Sequence, residues 1–321
     1  EEAEVALMQV LENTRQMDMF SVVGMPLVVN STLMNCAIVL QKGKILGIVP
    51  KTYLPNHKEN ADTRWFSSAS DHTETNIRLC GQNVPFGTQL LFDTAETCFG
   101  IEIGEDAWAP IPPSSNLALK GAEIIFNTSA MSESIGKHNY LQSLLSQQSA
   151  RCIGGYVFSS CGFGESTTDV VFGGNGLIYE NGTLLAASER FSLKEQLIIS
   201  EIDVERIRNE RRINTTFSAN MAKYKDQPAI HINTELINQR DLILTRPIDA
   251  HPFVPKGETL NQRCEEIFEI QVMGLAKRLI HTNCKTVVVG ISGGLDSTLA
   301  LLVCVKTFDK LGFPRKGIVG I

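Results

Sequence analysis

The sequence predicts an α/β protein in which sheets and helices pack as layers, followed by a smaller α/β unit. Over residues 20–187, short β-branched and aromatic runs alternate with stretches of helical spacing, and some of these runs flank good hairpin turns. Hairpins mixed with crossover helices favour packed layers. Near the end of the chain, the apolar run at 286–291 meets Ser-Gly-Gly-Leu-Asp-Ser at 292–297. A further apolar stretch follows at once, which predicts strand, tight loop and helix.

The individual elements follow from local patterns. Residues 1–14 have the apolar spacing of an amphipathic helix, while Gly24 and Pro26 interrupt an otherwise strand-like run. Turn residues at 41–44 and 179–182 predict two hairpins, the second through an Asn-Gly pair. We predict strands at 20–29, 35–40, 45–49, 89–92, 98–103, 123–127, 155–160, 170–178 and 183–187, and helices at 1–14, 138–150, 205–212 and 260–280.

The chain is long enough for two domains, since its 321 residues can build two separate cores. Around Pro247, Pro252 and Pro255 the hydrophobic periodicity fades, which is typical of a linker. We therefore predict a first domain at 1–241, a linker at 242–258 and the start of a second domain at 259–321. Because the chain does not begin with Met and a helical pattern starts at its first residue, we expect it to be a piece of a longer protein.

Composition and charge argue against several classes of function. With 43% apolar and 20% charged residues the chain is an ordinary globular protein, and a net charge of -6 argues against a nucleic-acid binder. Four arginines within 205–212 alternate with glutamates, so we interpret them as a solvated helix face. No apolar run approaches the roughly 20 residues of a membrane span. The 8 cysteines show no Cys-x-x-Cys pair or metal-ligand spacing, which predicts reduced thiols and a cytoplasmic location.

The Ser-Gly-Gly-Leu-Asp-Ser loop carries the first chemical signal. Backbone N–H groups in such a loop and at the start of the next helix suit a phosphate. Gly293 and Gly294 permit close approach of the backbone, and the hydroxyls of Ser292 and Ser297 add donors. Asp296 would repel a polyphosphate unless it holds a metal ion or orients the loop. The loop resembles the PP-loop of the ATP pyrophosphatases, which implies ATP and Mg²⁺ and the cleavage of ATP to AMP and pyrophosphate.

A second resemblance covers nearly the whole chain. A lone lysine after a strand, such as Lys51, is usually a surface charge, but several other stretches accompany it here. They are Lys-Thr-Tyr-Leu-Pro-Asn at 51–56, Asn-Thr-Ser-Ala at 127–130, Ile-Gly-Lys at 135–137, Ser-Ala-Arg-Cys at 149–152 and Gly-Glu-Ser-Thr-Thr-Asp at 164–169. Together they resemble the nitrilase-like glutaminase domain of the glutamine-dependent NAD synthetase family, in which a PP-loop domain follows. The resemblance implies an α/β nitrilase-like α-β-β-α sandwich and then the first βαβ unit of a Rossmann-like PP-loop domain.

The resemblance also implies a reaction. In this family a Cys thiolate attacks the amide carbon of glutamine, a Glu serves as general base and a Lys stabilises the oxyanion. The released ammonia then converts adenylated deamido-NAD to NAD. Lys51 matches the catalytic lysine and Glu59 a supporting carboxylate, whereas the general-base Glu would precede residue 1. The position of the nucleophile holds Gly104, which has no side chain to attack with.

Further departures fall in the glutamine pocket, to which the resemblance assigns His57, Met131 and Lys137. His57 stands where the family usually has an aromatic residue, and Met131 where serine is common. His57 could act as an acid or base, although an imidazole that merely lines the pocket is the simpler interpretation. Cys98 precedes Gly104 by six residues on the same predicted strand, about 20 Å away along an extended chain, and cannot replace the nucleophile.

Three functions remain open at this point. The first is an ATP-dependent ligase that makes NAD and carries an amidase-like domain without its nucleophile. The second is a carbon–nitrogen hydrolase acting on another amide, against which Gly104 counts. The third is a relative without activity whose role is assembly, because nitrilase-like domains commonly associate. We expect deamido-NAD and glutamine or ammonia as partners, no nucleic acid or membrane, and a homo-oligomer.

Overall fold

The computed structural model describes residues 2–57, 60–166, 169–227, 229–235 and 243–321, without the side chain of residue 258. The chain divides into two compact units, Glu1–Arg246 and Pro247–Ile321. Among the described residues, no helix is both long enough and apolar enough to cross a membrane.

The described part of the first unit contains helices and strands in alternation, as the sequence predicts. The helices are α1 (Glu2–Asn13), α2 (Pro113–Leu119), α3 (Lys137–Cys152), α4 (Val204–Ile213) and α5 (Thr215–Tyr224). The strands are β1 (Phe20–Val29), β2 (Thr32–Gln41), β3 (Lys44–Pro50), β4 (Asn76–Leu79), β5 (Gln82–Pro85), β6 (Leu90–Asp93), β7 (Cys98–Ile103), β8 (Ile124–Ser129), β9 (Gly155–Ser160), β10 (Gly176–Glu180), β11 (Thr183–Ala187) and β12 (Ile230–Asn233).

The first sheet is an antiparallel meander in the order β1-β2-β3. The predicted hairpin between β2 and β3 is confirmed, with Lys42 and Gly43 as its two turn residues. Strand β1 runs unbroken through Gly24 and Pro26. An edge strand has one unpaired side, so a proline without an N–H group is tolerated there.

The second sheet has seven strands in the order β11-β10-β9-β8-β7-β6-β12, with β7, β8 and β9 parallel. Its core against the first sheet includes Val39, Phe92 and Phe99, and its core against α2 and α3 includes Leu117 and Leu141. Helix α1 covers the other face of the first sheet with Leu7 and Leu11. The layers therefore follow the order α-β-β-α, and the predicted fold class is confirmed.

The second unit contains one βαβ connection. Its elements are α6 (Leu260–Thr282), β13 (Val287–Val289), α7 (Leu295–Leu311) and β14 (Ile318–Gly320). Strands β13 and β14 pair in parallel, as a crossover through α7 requires. Helices α6 and α7 pack together, and the hydroxyl of Thr307 lies 3.4 Å from the carbonyl oxygen of Val272.

The strand predicted at 170–178 is wrong in its first half, because β10 begins only at Gly176. Phe172 makes a single bridge to Ser132, and Gly173 and Gly174 follow it. Glycine offers no side chain to pack and weakens a strand. The sequence patterns also missed α2, α5, β12 and the β4–β5 hairpin, which are too short and too polar to show a clear period.

The arginines of α4 are only partly the solvated face that the sequence predicts. Arg206, Arg208 and Arg212 are exposed, and Arg208 also forms an ion pair with the buried Glu123 at 2.6 Å. Arg211 donates hydrogen bonds to the carbonyl oxygens of residues 122, 152 and 153, each at 2.8 or 2.9 Å. The prediction is therefore wrong for Arg211, which joins α4 to the ends of the helix and strand beneath it.

We expect Arg211→Ala to lower the free energy of unfolding by about 3 kcal/mol, because it leaves three backbone carbonyls without a charged donor. The matched control is Arg212→Ala, since among the described residues Arg212 donates to the Asn209 side chain on the same helix and to no other group. That variant should stay within about 0.5 kcal/mol of the parent. Urea unfolding of both variants measures the difference, and equal losses would contradict this role of Arg211.

Candidate active site

A cavity of about 400 Å³ opens where β7, β8 and β9 end. These strands are parallel, so the polar residues that follow them meet at one edge of the sheet. The residues that line the cavity include Lys51, Asp62, Gly104, Glu105, Trp108, Ser129, Met131, Ser132, Lys137 and Cys161.

Lys51 enters the cavity from the end of β3. Its backbone N–H donates to the carbonyl of Asn35 at 2.8 Å, which extends the pairing of β2 and β3 by one residue. The side chain is buried, with 7% of the residue exposed, and its Nζ lies 2.6 Å from Oδ2 of Asp62. A buried ammonium group needs such a partner, because an isolated charge is costly in a low-dielectric interior.

Gly104 is the first residue after β7 and lies next to Lys51. Its φ of +51° is left-handed, a conformation that glycine adopts without strain. A Cβ placed on Gly104 would lie 3.6 Å from Oγ of Ser129 and 3.8 Å from Nζ of Lys51, which are ordinary contacts. The position therefore has room for a side chain directed at the lysine, although this chain has none there.

Asp106 joins the loop that carries Lys51 to the turn that carries Gly104. Its Oδ1 accepts from the backbone N–H of Tyr53 at 2.7 Å, and its Oδ2 accepts from those of Ile103 at 3.2 Å and Thr52 at 3.3 Å. Burial raises the pKa of Asp106 from 3.8 to about 6, although these hydrogen bonds act in the opposite direction.

A buried polar chain lies under the Gly104 turn. Asn127 holds both backbone groups of Gly104, with its Oδ1 2.8 Å from the N–H nitrogen and its Nδ2 3.1 Å from the carbonyl oxygen. The same Nδ2 donates to the hydroxyl of Tyr156 at 3.0 Å, and Tyr156 donates to Oε1 of Glu102. Oε2 of Glu102 accepts from the N–H of Ser114 at 2.8 Å. Burial raises the pKa of Glu102 from 4.5 to about 7.

The mouth of the cavity is polar. Glu105 accepts from Nδ2 of Asn60 at 3.2 Å and lies 3.6 Å from Nε2 of His57. An adjoining cavity of about 680 Å³ shares Glu105 with the first and is lined by His57, Lys137 and Tyr140. The ring of His57 is thus at the entrance rather than next to Gly104.

The other two residues assigned to the glutamine pocket line the inner cavity. Met131 is buried, and its backbone N–H donates to Oγ of Ser160 at 2.9 Å. Nζ of Lys137 donates to Oγ of Ser132 at 3.2 Å. A thioether where a hydroxyl is common makes this wall less polar, because sulfur is only a weak acceptor.

Several site residues were not predicted from sequence. The predicted carboxylate Glu59 lies outside the described residues, and among the residues that the structure describes Asp62 contacts Lys51. The only indication of Asp62 in the sequence is that it lies in the same loop as Glu59. Cys161 lines the cavity, whereas Cys98 begins β7 at the far end of the strand from Gly104. Burial raises the pKa of the Cys161 thiol to about 11 and so disfavours a thiolate there.

The predicted phosphate loop connects β13 to α7 in the second unit. Gly293 has a φ of +83°, and residues 292–296 are exposed. The hydroxyls of Ser292 and Ser297 are 3.2 Å apart, and Thr298 donates to the carbonyl of Gly294 at 2.8 Å. In the part of the chain that the structure describes, no three His, Cys, Asp or Glu side chains gather as a metal site.

The family model of carbon–nitrogen hydrolases matches residues 1–212. The chain belongs to the carbon–nitrogen hydrolase family. A second model, that of NAD synthase, matches residues 267–315, which contain the phosphate loop of the second unit. The carbon–nitrogen hydrolase part therefore contains the cavity, and the match to NAD synthase falls on a different unit.

Individual proteins are also similar to this chain. Two relatives named glutamine-dependent NAD(+) synthetase, from Mycobacterium bovis and Mycobacterium leprae, are 37% and 38% identical to this chain over 98% and 93% of its length. The matches cover 47% and 45% of those proteins, so the chain spans about half the length of the curated relatives it matches. The crystal structure of a glutamine-dependent NAD(+) synthetase from Cytophaga hutchinsonii has the same fold, with a TM-score of 0.55 and 22% identity over 98% of this chain and 43% of that one.

The two buried carboxyls predict how stability depends on pH. Because Glu102 and Asp106 have raised pKa values in the folded state, the folded protein holds protons that the unfolded chain has released. Their contribution to stability is complete below about pH 4 and is lost as the pH rises through 6 and 7. We expect the free energy of unfolding to fall between pH 5 and pH 8.

Glu102→Gln should reduce this fall by about 3 kcal/mol, the equivalent of a shift from 4.5 to about 7. Urea unfolding at the two pH values measures the slope, which is independent of any constant loss of packing in the variant. The matched control is Glu12→Gln on the exposed face of α1, which should keep the parent slope. An unchanged slope in Glu102→Gln would contradict the prediction.

Proposed function

We propose that the whole protein is an ATP-dependent ligase that converts deamido-NAD to NAD, and that free ammonia is its effective nitrogen donor. The observation that carries this proposal is the order of two units in one chain, an amidase-like unit and then a unit matched by NAD synthase. Relatives that align over almost the whole chain carry the name glutamine-dependent NAD(+) synthetase, which supports the same reaction.

The limit on glutamine as donor follows from Gly104. Glutaminase chemistry of this kind needs a thiolate that attacks the amide carbon, so that a thioester forms and the amide nitrogen leaves as ammonia. Water then hydrolyses the thioester to glutamate. We assign Lys51 to stabilising the oxyanion and Glu59 to the role of the supporting carboxylate. Gly104, however, offers no atom that could form the thioester. Glutamine hydrolysis at this cavity is therefore slow.

The cavity itself still suits an amide with polar ends. We assign Lys137, His57 and Met131 to its binding surface, where Lys137 and Glu105 offer opposite charges to a small zwitterion. The second candidate function is hydrolysis of a different amide. The absent nucleophile counts against it, because every amide would need the same attack. No observation favours it over the ligase.

In the second unit we assign the phosphates of ATP to the loop at 292–297. Ser292, Gly293, Gly294 and Ser297 supply hydroxyl and backbone donors, and Asp296 would hold Mg²⁺ together with those phosphates. Bound ATP supplies the adenylyl group: the carboxylate of deamido-NAD attacks the α-phosphorus and pyrophosphate leaves. Ammonia then attacks the acyl carbon, AMP leaves, and a proton passes to solvent.

The proposal extends to the setting of the enzyme. We propose a first domain at 1–241, a linker at 242–258 and a ligase domain from residue 259. All 8 cysteines are free thiols, which supports a reducing cytoplasm. A homo-oligomer is part of the proposal because the resemblance implies it.

The whole protein should form NAD from deamido-NAD, ATP and ammonia, and its kcat/KM with glutamine should be about 10³-fold below that of a protein with a working nucleophile. Steady-state NAD formation with each donor side by side measures this. The double variant with Ser292→Ala and Ser297→Ala should lower the rate with both donors, because both serines are assigned to the binding of ATP. Equal rates of the parent with glutamine and with ammonia would contradict the proposed donor.

Gly104→Cys should raise glutamine-driven NAD formation at least 10-fold and leave the ammonia-driven rate unchanged, because a side chain at 104 points toward Lys51. The matched control is Gly104→Ala, which adds the Cβ atom without the thiol and should stay at the parent rate. A gain in Gly104→Ala equal to that in Gly104→Cys would exclude covalent catalysis as the cause. No gain in Gly104→Cys would place a further block at His57 or Met131.

A further inference from the structure

The backbone of residue 104 is held by a side chain from the neighbouring strand. Strands β7 and β8 pair in a regular parallel ladder as far as Ile103 and Thr128. Beyond it, the carboxamide of Asn127 takes over, with one hydrogen bond to the N–H and one to the carbonyl of Gly104. Asn127 is 1% exposed, so water does not compete for either bond.

The orientation of this carboxamide is fixed from behind. Asn127 has two N–H bonds on Nδ2, and both are used, one on Gly104 and one on the hydroxyl of Tyr156. That hydroxyl accepts from Asn127 and passes its own hydrogen to Glu102, whose other oxygen accepts from the N–H of Ser114. While Glu102 is ionised, every donor in the chain therefore has one direction, and turning the amide over would break three hydrogen bonds.

Any residue other than glycine needs hydrogen bonds like those from Asn127 to stay in the left-handed conformation at position 104. A non-glycine residue in this region of φ/ψ space carries about 1–3 kcal/mol of strain, and it keeps that conformation only where its surroundings impose it. The φ of +51° is what directs a Cβ at Nζ of Lys51 and Oγ of Ser129. In a negative-φ conformation the same side chain would leave this direction. The hydrogen bonds between Asn127 and the backbone of residue 104 do not depend on the side chain at 104. They are therefore present here, where the residue is glycine.

We propose that Asn127, oriented by Tyr156 and Glu102, is the positioning residue that aims the side chain of residue 104 at Lys51. The proposal rests on the assignment of residue 104 as the nucleophile position. It also implies that the N–H of residue 104 is unavailable to an oxyanion, because Asn127 already accepts its hydrogen. Oxyanion stabilisation then has to use the charge of Lys51 or other donors, and not this N–H.

The test is made in the whole protein and uses a thiol at residue 104 to report whether the side chain there points toward Lys51. Gly104→Cys introduces the thiol, and its alkylation by iodoacetamide is followed by tandem mass spectrometry. Fragment ions assign the label to residue 104 and so distinguish it from label on Cys80 and Cys98. A thiol beside the Lys51 ammonium has a lowered pKa and reacts faster near neutral pH. This readout needs neither glutamine nor ATP, so it fails or succeeds independently of the proposed function.

Adding Asn127→Ala to Gly104→Cys should lower the alkylation rate at pH 7 about 10-fold and move the midpoint of its pH profile upward. Lys51→Gln should produce the same shift in Gly104→Cys alone but no further shift once Asn127 is replaced. The matched control is Asn175→Ala, since Asn175 is also 1% exposed but binds Glu133 and His138. That control should leave the pH profile unchanged.

An unchanged profile with Asn127→Ala, or an equal shift with Asn175→Ala, would overturn the proposal. If the Asn127→Ala variant does not fold, Tyr156→Phe decides, because it keeps the ring and removes only the hydroxyl that orients Asn127. It should lower the rate about 3-fold and shift the midpoint in the same direction. A parent-like profile in Tyr156→Phe would then overturn the proposal.

Discussion

The geometry of the cavity depends on the hydrogen bonds that the buried carboxylate of Asp106 accepts. It accepts three backbone N–H groups, two from the loop after β3 and one from the end of β7. These segments belong to different sheets, so without a shared acceptor each would place its own part of the site. A carboxylate suits this position because it has only acceptors and can serve several donors at once.

Lys51 poses a second constraint, because its charge is buried beside a position that has no thiolate to balance it. Asp62 supplies that balance at 2.6 Å, so the lysine is paired whether or not residue 104 carries a charge. Glycine at 104 also removes the strain that a left-handed φ imposes on other residues. A side chain at residue 104 can therefore be absent while Lys51, the turn and the hydrogen bonds beneath it keep their places.

Much of the fold could be predicted from the sequence, and the misses have physical causes. The strands at 98–103 and 155–160 are confirmed at those bounds, because each is a run with clear turn signals at its ends. The run at 170–175 is equally apolar, but two glycines before β10 prevent a ladder. Arg211 was expected in solvent because its neighbours on α4 are charged. What decides its position is the row of carbonyl oxygens beneath it, which local sequence does not show.

By itself, the sequence determined the α/β class, the order of the two units, and the lack of any side chain at residue 104, since these depend on residue types and short patterns. Only the tertiary structure decided which side chains surround that position. Asp62 reaches Lys51 from eleven residues away, Asn127 reaches Gly104 across a strand pair, and Glu102 acts through Tyr156. Such contacts arise where separate segments pack against each other, and a linear pattern carries no record of the distance between them.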